Sequence, residues 1–197
     1  MKAMVKHIQT TPIVQEGDLV LRGIASPVPP SDFGTKKLRD IVERMRTTLQ
    51  KESDGVAIAA PQIAVSLRIF LVSRNAFRLE EKQPTKAEPK LPEKDMVCIN
   101  PEIIKLSKKK KKLPEGCLSV RWLYGNTLRH EKATIRAYDE NGKLFTYGGS
   151  GLIAQIFQHE TDHLNGILFI DHATDIAELT PEEIAEIQAK SNNHNAA

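Results

Sequence analysis

The sequence predicts an α+β fold in which mixed or antiparallel strands wrap around a central helix, with further helices flanking it at the N- and C-terminal ends. Three patterns support this prediction: an early amphipathic helical segment, several short β-branched segments separated by turn residues, and a late helical segment that is apolar on more than one side. The chain has 197 residues. We expect a single domain over residues 1–172, followed by a tail over residues 173–197 with a short helix and a frayed end.

The composition is that of an ordinary globular protein, with 40% hydrophobic and 27% charged residues. Lys and Arg exceed Asp and Glu by 28 to 25, and the run Lys108–Lys112 accounts for the excess. We therefore expect a local basic patch and no specific binding of nucleic acid. The sequence has no apolar stretch that could span a membrane, no apolar signal core and only two cysteines, so we expect a cytoplasmic protein without membrane association.

The first predicted helix spans residues 32–50, because apolar residues recur there at helical spacing. Three prolines in the preceding connector, residues 17–30, argue against a helix in that segment. A strand is predicted at residues 68–73. Residues 75–95 are rich in lysine and proline and are expected to form a solvated loop.

Short strands are predicted at residues 96–100 and 102–107, and the lysine run that follows them is expected at the tip of a hairpin. A further strand at residues 133–138 precedes an Asn-Gly pair, which is a strong signal for a hairpin into residues 144–147. These segments supply the predicted sheet.

Two helices complete the predicted fold. The first covers residues 151–164, with Gly166 just beyond its end. The second is short and covers residues 181–190, with Pro181 suited to its first turn.

The helix at residues 151–164 should be buried, yet polar side chains occupy its centre, where they are costly unless they are paired or coordinated. His159 and His163 are four residues apart, so both rings project from one face and can reach one metal ion. Glu160 directly follows the first histidine and is placed to act on water at that ion. This His-Glu-x-x-His pattern predicts that the central helix binds a metal.

A catalytic site of this kind usually has a third protein ligand, and the spacing leaves its identity open. A third histidine at the extended spacing is absent after His163. Cys117 lies in the segment Glu-Gly-Cys-Leu-Ser, whose glycine allows a tight backbone beside the thiol, whereas Cys98 is expected to be a small buried residue of a strand. The remaining candidates are glutamates near the C-terminus: Glu178, Glu182, Glu183 and Glu186.

Three segments of the chain carry distinctive motifs: residues 55–62 read GVAIAAPQ, residues 115–119 read EGCLS and residues 158–163 read QHETDH. They resemble, in the same order, the three sequence motifs of peptide deformylases. The resemblance extends over roughly residues 5–172. Three motifs in a fixed order are far more specific than any one of them.

The resemblance implies an enzyme that removes the formyl group from the N-terminal formyl-methionine of newly made polypeptides and releases formate. Water on a single divalent ion would attack the formyl carbon, with Glu160 as general acid and base. The Gln62 side-chain amide and the Leu118 backbone N–H would stabilise the oxyanion. The ion is expected to be Fe²⁺, with Zn²⁺, Ni²⁺ or Co²⁺ as substitutes. Its implied ligands are Cys117, His159 and His163.

The resemblance also implies which residues bind the peptide. The loop at residues 55–58 would lie beside it, and Ile58, Ile156 and Phe157 could line an apolar pocket for the methionine side chain. Core packing is an alternative for Phe157. Arg129 matches an arginine that contacts the substrate, although a solvated strand position is the alternative. The full set is Gly55, Val56, Ala57, Ile58, Arg129, Ile156 and Phe157.

Two residues depart from the family pattern. Ala57 replaces the second glycine of the first motif, and Arg121 stands where many bacterial members have proline. The first could crowd the peptide, and the second changes the rim of the site.

Two other functions remain open from the sequence. A zinc endopeptidase would need a third ligand other than cysteine, and a deformylase-like binding protein would hold a formylated terminus without turnover. The implied partners are formyl-methionyl nascent peptides. Transient proximity to the ribosome is left open.

Overall fold

The computed structural model describes residues 11–52, 54–81 and 94–192, which form the α+β fold that the sequence predicts. Within these residues, antiparallel strands form one sheet in the order β1-β2-β3-β6-β7 and another in the order β4-β5-β8. The strands are β1 (Ala57–Ala59), β2 (Ile69–Val72), β3 (Met96–Leu106), β4 (Lys110–Cys117), β5 (Val120–His130), β6 (Lys132–Tyr138), β7 (Leu144–Ser150) and β8 (Thr174–Glu178). The helices are α1 (Lys36–Leu49), α2 (Arg74–Glu81), α3 (Gly151–Leu164) and α4 (Pro181–Asn192).

Helix α1 forms where the apolar periodicity predicts it, but it begins at Lys36 rather than at residue 32. Pro30–Asp32 form a short 3-10 turn instead, and the Thr35 hydroxyl then caps α1 by accepting a hydrogen bond from Leu38 N at 3.3 Å. A capped start of this kind satisfies a backbone N–H that the helix itself leaves unpaired.

The five-stranded sheet is buried on both faces around β2. Phe70 and Val72 point into a core cluster shared with α3, whereas Ile69 and Leu71 point into a second cluster shared with α1. Successive side chains of a strand alternate between faces, so a strand with both faces covered reads as a continuous apolar run. Helices α1 and α3 thus cover opposite faces of the sheet.

Helix α3 contacts strands of both sheets and also α2, so it is central in the fold. The Gln158 amide fixes it against β5, because its Oε1 accepts from His130 N at 2.9 Å and its Nε2 donates to His130 O at 3.0 Å. The side chain therefore pairs with the strand much as a neighbouring backbone would. This holds the residues after Gln158 in a fixed position relative to the second sheet.

The prediction of a solvated loop over residues 75–95 is wrong for its first part, which forms α2. Ala76 and Phe77 are buried there, and the Phe77 ring lies 5.8 Å from the Tyr147 ring. Asp95 Oδ1 accepts a hydrogen bond from Arg74 N at 2.9 Å and caps the helix. Tyr147 and Asp95 are both distant in sequence from the residues of α2 that they contact, so the local composition did not reveal the helix. Residues 82–93 lie outside the described residues.

The predicted strands at 96–100 and 102–107 are one strand, β3, with a register shift between Ile99 and Glu102. The lysine run is not at a hairpin tip. Lys110–Lys112 lie in β4, which pairs with β5 in the other sheet, so the chain changes sheets just before them. The predicted hairpin between β6 and β7 is confirmed.

Strand β8 pairs with β5, which joins part of the segment assigned to the tail to the second sheet. Helix α4 follows, close to its predicted position. The frayed end predicted after residue 190 falls mostly on residues 193–197, which are not among those described. No helix of the described part of the chain is long and apolar enough to cross a membrane.

Replacing Phe157 with alanine is expected to lower the free energy of unfolding by about 3–5 kcal/mol. Phe157 is fully buried, and its ring lies 6.2 Å from the rings of both Phe70 and Tyr147. Urea unfolding measures the change. Leu128→Ala is the control, because Leu128 is 60% exposed and should change stability by less than about 0.5 kcal/mol. Equal effects of the two substitutions would contradict this account of the core.

Candidate active site

Helix α3 brings the three predicted polar residues to one place. The rings of His159 and His163 lie 4.9 Å apart, centroid to centroid, as expected for residues four apart on a helix. Glu160 lies beside them and is 3% exposed. The helix therefore carries two imidazoles and one carboxylate into the interior.

Cys117 completes the group from the end of β4. Its Sγ lies 3.2 Å from His163 Nε2, and one donor atom from each of Cys117, His159 and His163 lies within 4.8 Å of the others. A tight turn to β5 holds the cysteine, because Cys117 pairs with Val120 across it. The C-terminal glutamates that the sequence left open as third ligands do not belong to this group.

Gly116 allows the backbone to pass close to Tyr124. A Cβ atom at this position would lie 2.6 Å from the Tyr124 ring, so any side chain here would force the ring to move. The glycine thus leaves room for the Tyr124 ring directly beside the thiol.

Glu115 orients the first histidine. Its Oε1 lies 2.7 Å from His159 Nδ1, so that nitrogen donates and Nε2 is the ring nitrogen left to serve as a ligand. Burial alone would raise the pKa of Glu115, but hydrogen bonds from His159 and Arg129 hold that pKa well below its ordinary range. Thr127 Oγ1 donates to its other oxygen at 2.7 Å. Glu115 is therefore an anchored carboxylate.

Arg129 holds this carboxylate and does not line the pocket, so its assignment to peptide binding is not supported. It is 6% exposed, and its guanidinium donates to Glu115 Oε1 at 2.6 Å and to Asp162 Oδ2 at 2.6 Å. The structure therefore places Arg129 neither against a peptide in the pocket nor at a solvated strand position. Arg129 instead ties β4, β5 and α3 together around the histidines.

Replacing Glu115 with glutamine is expected to weaken metal binding by about 10- to 100-fold, the usual effect of losing the partner of a ligating histidine. The change removes the charge that both His159 and Arg129 contact. Competition with a chelator measures the affinity. Glu102→Gln is the matched control, because it breaks an exposed ion pair with Arg136. Equal affinities of the two variants would show that Glu115 does not act on the histidine.

Glu160 is a buried carboxylate whose Oε2 has no hydrogen-bond partner among the described residues. Burial raises the pKa of Glu160 to about 7; His159 opposes this rise, and the charges of Glu115 and Asp162 add to it. A carboxyl group poised near neutral pH suits proton transfer. Its unpartnered oxygen indicates that a further polar group belongs in the site.

Gln62 and Leu118 supply hydrogen-bond donors beside Cys117. The Gln62 Oε1 accepts from Ala59 N at 2.8 Å, which turns its Nε2 towards Ser119 Oγ at 3.2 Å and Cys117 Sγ at 3.7 Å. The Leu118 N–H lies in the turn after Cys117, and it has no acceptor in the described part of the chain. The Leu118 N–H is therefore free to serve a bound molecule, whereas the Gln62 Nε2 already has two acceptors.

A pocket of about 200 Å³ opens onto this group. One wall is the segment that leads into β1, the opposite wall is the β4–β5 hairpin, and α3 forms the floor. The lining residues include Gly55, Val56, Ala57, Gln62, Cys117, Leu118, Trp122, Tyr124, Leu152, Ile156, His159 and Glu160.

Four of the seven predicted peptide-binding residues line this pocket: Gly55, Val56, Ala57 and Ile156. Ile58 does not, because strand alternation turns it to the α1 side of the sheet. Phe157 does not either, because it points into the cluster between the sheet and α3. Phe157 is therefore a core residue, which is the alternative that the sequence left open for it.

Ala57 is accommodated without backbone strain. It lies in the extended strand β1, it is absent from the residues with positive φ, and its side chain belongs to the core cluster with Phe70. The loss of the family glycine at this position is therefore compatible with an ordinary strand.

Three residues of the site have no role that the sequence predicted: Glu115, Trp122 and Tyr124. Glu115 lies in the Glu-Gly-Cys-Leu-Ser segment, but its partner His159 is 44 residues away. Trp122 and Tyr124 lie on β5, a strand that the residue pattern did not predict.

The fold and this site together define a class of protein. Two histidines of a His-Glu-x-x-His helix and a cysteine, grouped beside a buried carboxylate in a pocket, are the features of a metal-dependent hydrolase.

Comparison with known proteins gives the family. The profile of the polypeptide deformylase family matches residues 10–178. A peptide deformylase of Desulforudis audaxviator is 39% identical over 167 residues, 83% of this chain and 94% of that protein. One of Dehalococcoides mccartyi is 38% identical over 176 residues, 85% of this chain and 93% of that protein.

A solved structure shows the same fold. The Met-Ala-Ser-bound class I type b peptide deformylase from Acinetobacter baumannii superposes with a TM-score of 0.70 at 31% identity, over 83% of this chain and 98% of that one. The chain belongs to the polypeptide deformylase family and is an enzyme, a hydrolase of the deformylase class.

Proposed function

We propose that this enzyme removes the formyl group from the N-terminal formyl-methionine of newly made polypeptides and releases formate. The observation that carries the proposal is the group of Cys117, His159 and His163 beside the buried Glu160, inside a pocket walled by the segment that leads into β1. We place the reaction in the cytoplasm, with residues 1–172 as the expected catalytic domain and the nascent peptide as partner.

The donor set fits one divalent transition-metal ion. A thiolate and two imidazoles within 4.8 Å of one another suit iron, zinc, nickel or cobalt, and we propose Fe²⁺ as the native ion. The unpartnered Glu160 Oε2 is the second sign of fit, because a buried carboxylate oxygen needs a polar partner. Such an ion polarises a carbonyl group and lowers the pKa of water.

Glu160 is proposed to move the proton. It takes a proton from the attacking water and returns it to the nitrogen that leaves as the peptide's free amine, which is the role of a general acid and base. The pKa of about 7 suits both directions of transfer.

Gln62 and Leu118 are proposed to stabilise the carbonyl oxygen of the formyl group as negative charge develops on it. The Gln62 Nε2 is held in place through Ala59 N and Ser119 Oγ, and the Leu118 N–H is rigid in its turn. The Leu118 N–H can donate without rearrangement, whereas the Gln62 Nε2 would exchange its long contact with Cys117 Sγ for the carbonyl oxygen.

The peptide is proposed to lie along β1. This strand is at the edge of its sheet, with β2 on one side, so its other edge can accept an added strand near Gly55–Ala57. Leu152 and Ile156 give the floor an apolar surface for the methionine side chain. The related Acinetobacter structure with Met-Ala-Ser supports this class of ligand.

Formate release from formyl-Met-Ala-Ser tests the proposal, with acetyl-Met-Ala-Ser and unformylated Met-Ala-Ser as controls. We expect formate from the first peptide and no reaction of the others. Cleavage of an internal peptide bond, with or without a formyl group, would favour the endopeptidase instead. Binding of the formylated peptide without formate release would favour a binding protein.

A further inference from the structure

The outer rim of the pocket carries an ion-pair cluster that the proposed reaction does not use. Arg121 at the start of β5 donates to Asp54 Oδ2 at 2.7 Å and to Glu52 Oε2 at 2.5 Å. Its guanidinium also lies 4.6 Å from the centroid of the Trp122 ring. We call Glu52, Asp54 and Arg121 the rim cluster. Its side chains are only 16–30% exposed, so solvent screens them less than free surface charges.

The rim cluster joins the two walls between which a peptide would run. Asp54 lies on the segment that leads into β1, and Arg121 lies on the hairpin that carries Cys117; both line the pocket. An extended chain advances about 3.3 Å per residue, so Asp54 is up to about 10 Å along the wall from Ala57. A peptide whose formyl group lies at Cys117 and Glu160 reaches this rim with its second and third residues.

The cluster has two carboxylates and one guanidinium. Because both carboxylates already bind Arg121, an acidic side chain of the peptide could reach the guanidinium only by displacing one of them. A lysine or arginine would instead gain contact with Asp54 or Glu52. Lys51 directly precedes Glu52 in the sequence, but its side chain is exposed and its charge is therefore more strongly screened.

We propose that the rim cluster determines substrate specificity by selecting for the charge of the second and third residues, with lysine or arginine preferred over aspartate or glutamate. This inference rests on the proposed function, since it concerns the peptide that follows the formyl-methionine. Arg121 is a specificity-determining residue and not a catalytic one, because its bonds run to the rim carboxylates and not to the group around Cys117.

The test compares kcat/KM for formyl-Met-Lys-Lys, formyl-Met-Glu-Glu and formyl-Met-Ala-Ala. The wild type should prefer the lysine peptide over the glutamate peptide by about three- to tenfold, the scale of a partly screened charge pair, and salt should reduce the preference. The difference should lie mainly in KM.

Two variants should shift the preference in opposite directions. Arg121→Gln leaves the carboxylates uncompensated and should increase the preference for lysine. The double variant Glu52→Gln/Asp54→Asn frees the guanidinium and should reverse the preference towards glutamate. Arg121→Lys should keep the wild-type order of preference, because the positive charge between the two carboxylates is retained.

Arg22→Gln is the matched control, because it breaks an ion pair with Asp171 at a position that does not line the pocket. It should leave kcat/KM for all three peptides unchanged. Equal kcat/KM for the two charged peptides in the wild type would overturn the inference while leaving the proposed function intact. So would rim-cluster variants that change kcat/KM for all three peptides by the same factor. No formate from the alanine peptide would refute the proposed function itself.

Discussion

Replacing Cys117 with alanine is expected to remove the bound metal and nearly all formate release. Cys117 is the one donor of the group that does not come from α3, and its Sγ lies 3.2 Å from His163 Nε2. Loss of a partner of a ligand costs about 10- to 100-fold, so loss of the ligand itself should cost more than about 100-fold in metal affinity. Metal content and formate release on the same sample measure both effects.

Cys98→Ala is the matched control, because Cys98 is the other cysteine and is fully buried in the core cluster. It should keep the metal and the activity and lose only stability. A Cys117→Ala protein that retains a stoichiometric ion with full activity would show that the cysteine is not a ligand.

Replacing Glu160 with glutamine is expected to lower kcat by about 10²–10⁴-fold while the metal stays bound. Glutamine keeps the shape of the side chain but cannot take the proton. Because Glu160 is not a member of the group of three donors, the ion should remain at its wild-type content. The Glu102→Gln variant, with its change on an exposed strand position, controls for the loss of a charge.

Loss of metal together with activity in Glu160→Gln would instead make this carboxylate a ligand or a structural residue. Unchanged kcat would remove it from the reaction altogether.

The elements that the sequence predicted well are those defined by local periodicity. Helix α1, strand β2, the β6–β7 hairpin and helix α3 all show their pattern within a few consecutive residues. The grouping of Cys117 with His159 and His163 was also predictable, because two of the donors are one helical turn apart and the third lies in a recognisable motif.

The features that the sequence did not predict depend on distant partners. Helix α2 is capped by Asp95, 21 residues from Arg74, and β8 becomes a strand by pairing with β5. The role of Arg129 depends on two acids, Glu115 and Asp162, that the fold brings to it.

The rim cluster is the clearest example of a feature that depends on residues distant in sequence. Arg121 was visible as a departure from the family pattern, but its partners are 67 and 69 residues away. Nothing in the local sequence pairs these residues, because long-range contacts depend on how the β4–β5 hairpin faces the segment before β1.

Stepwise reloading of metal-free protein tests the central claim most directly. The protein is stripped with a chelator, Fe²⁺ is added without oxygen in fractions of one equivalent per chain, and formate release from formyl-Met-Ala-Ser is measured at each step. The account predicts almost no formate at the start, a linear rise, and a plateau at one ion per chain. Full formate release by the stripped protein would contradict it.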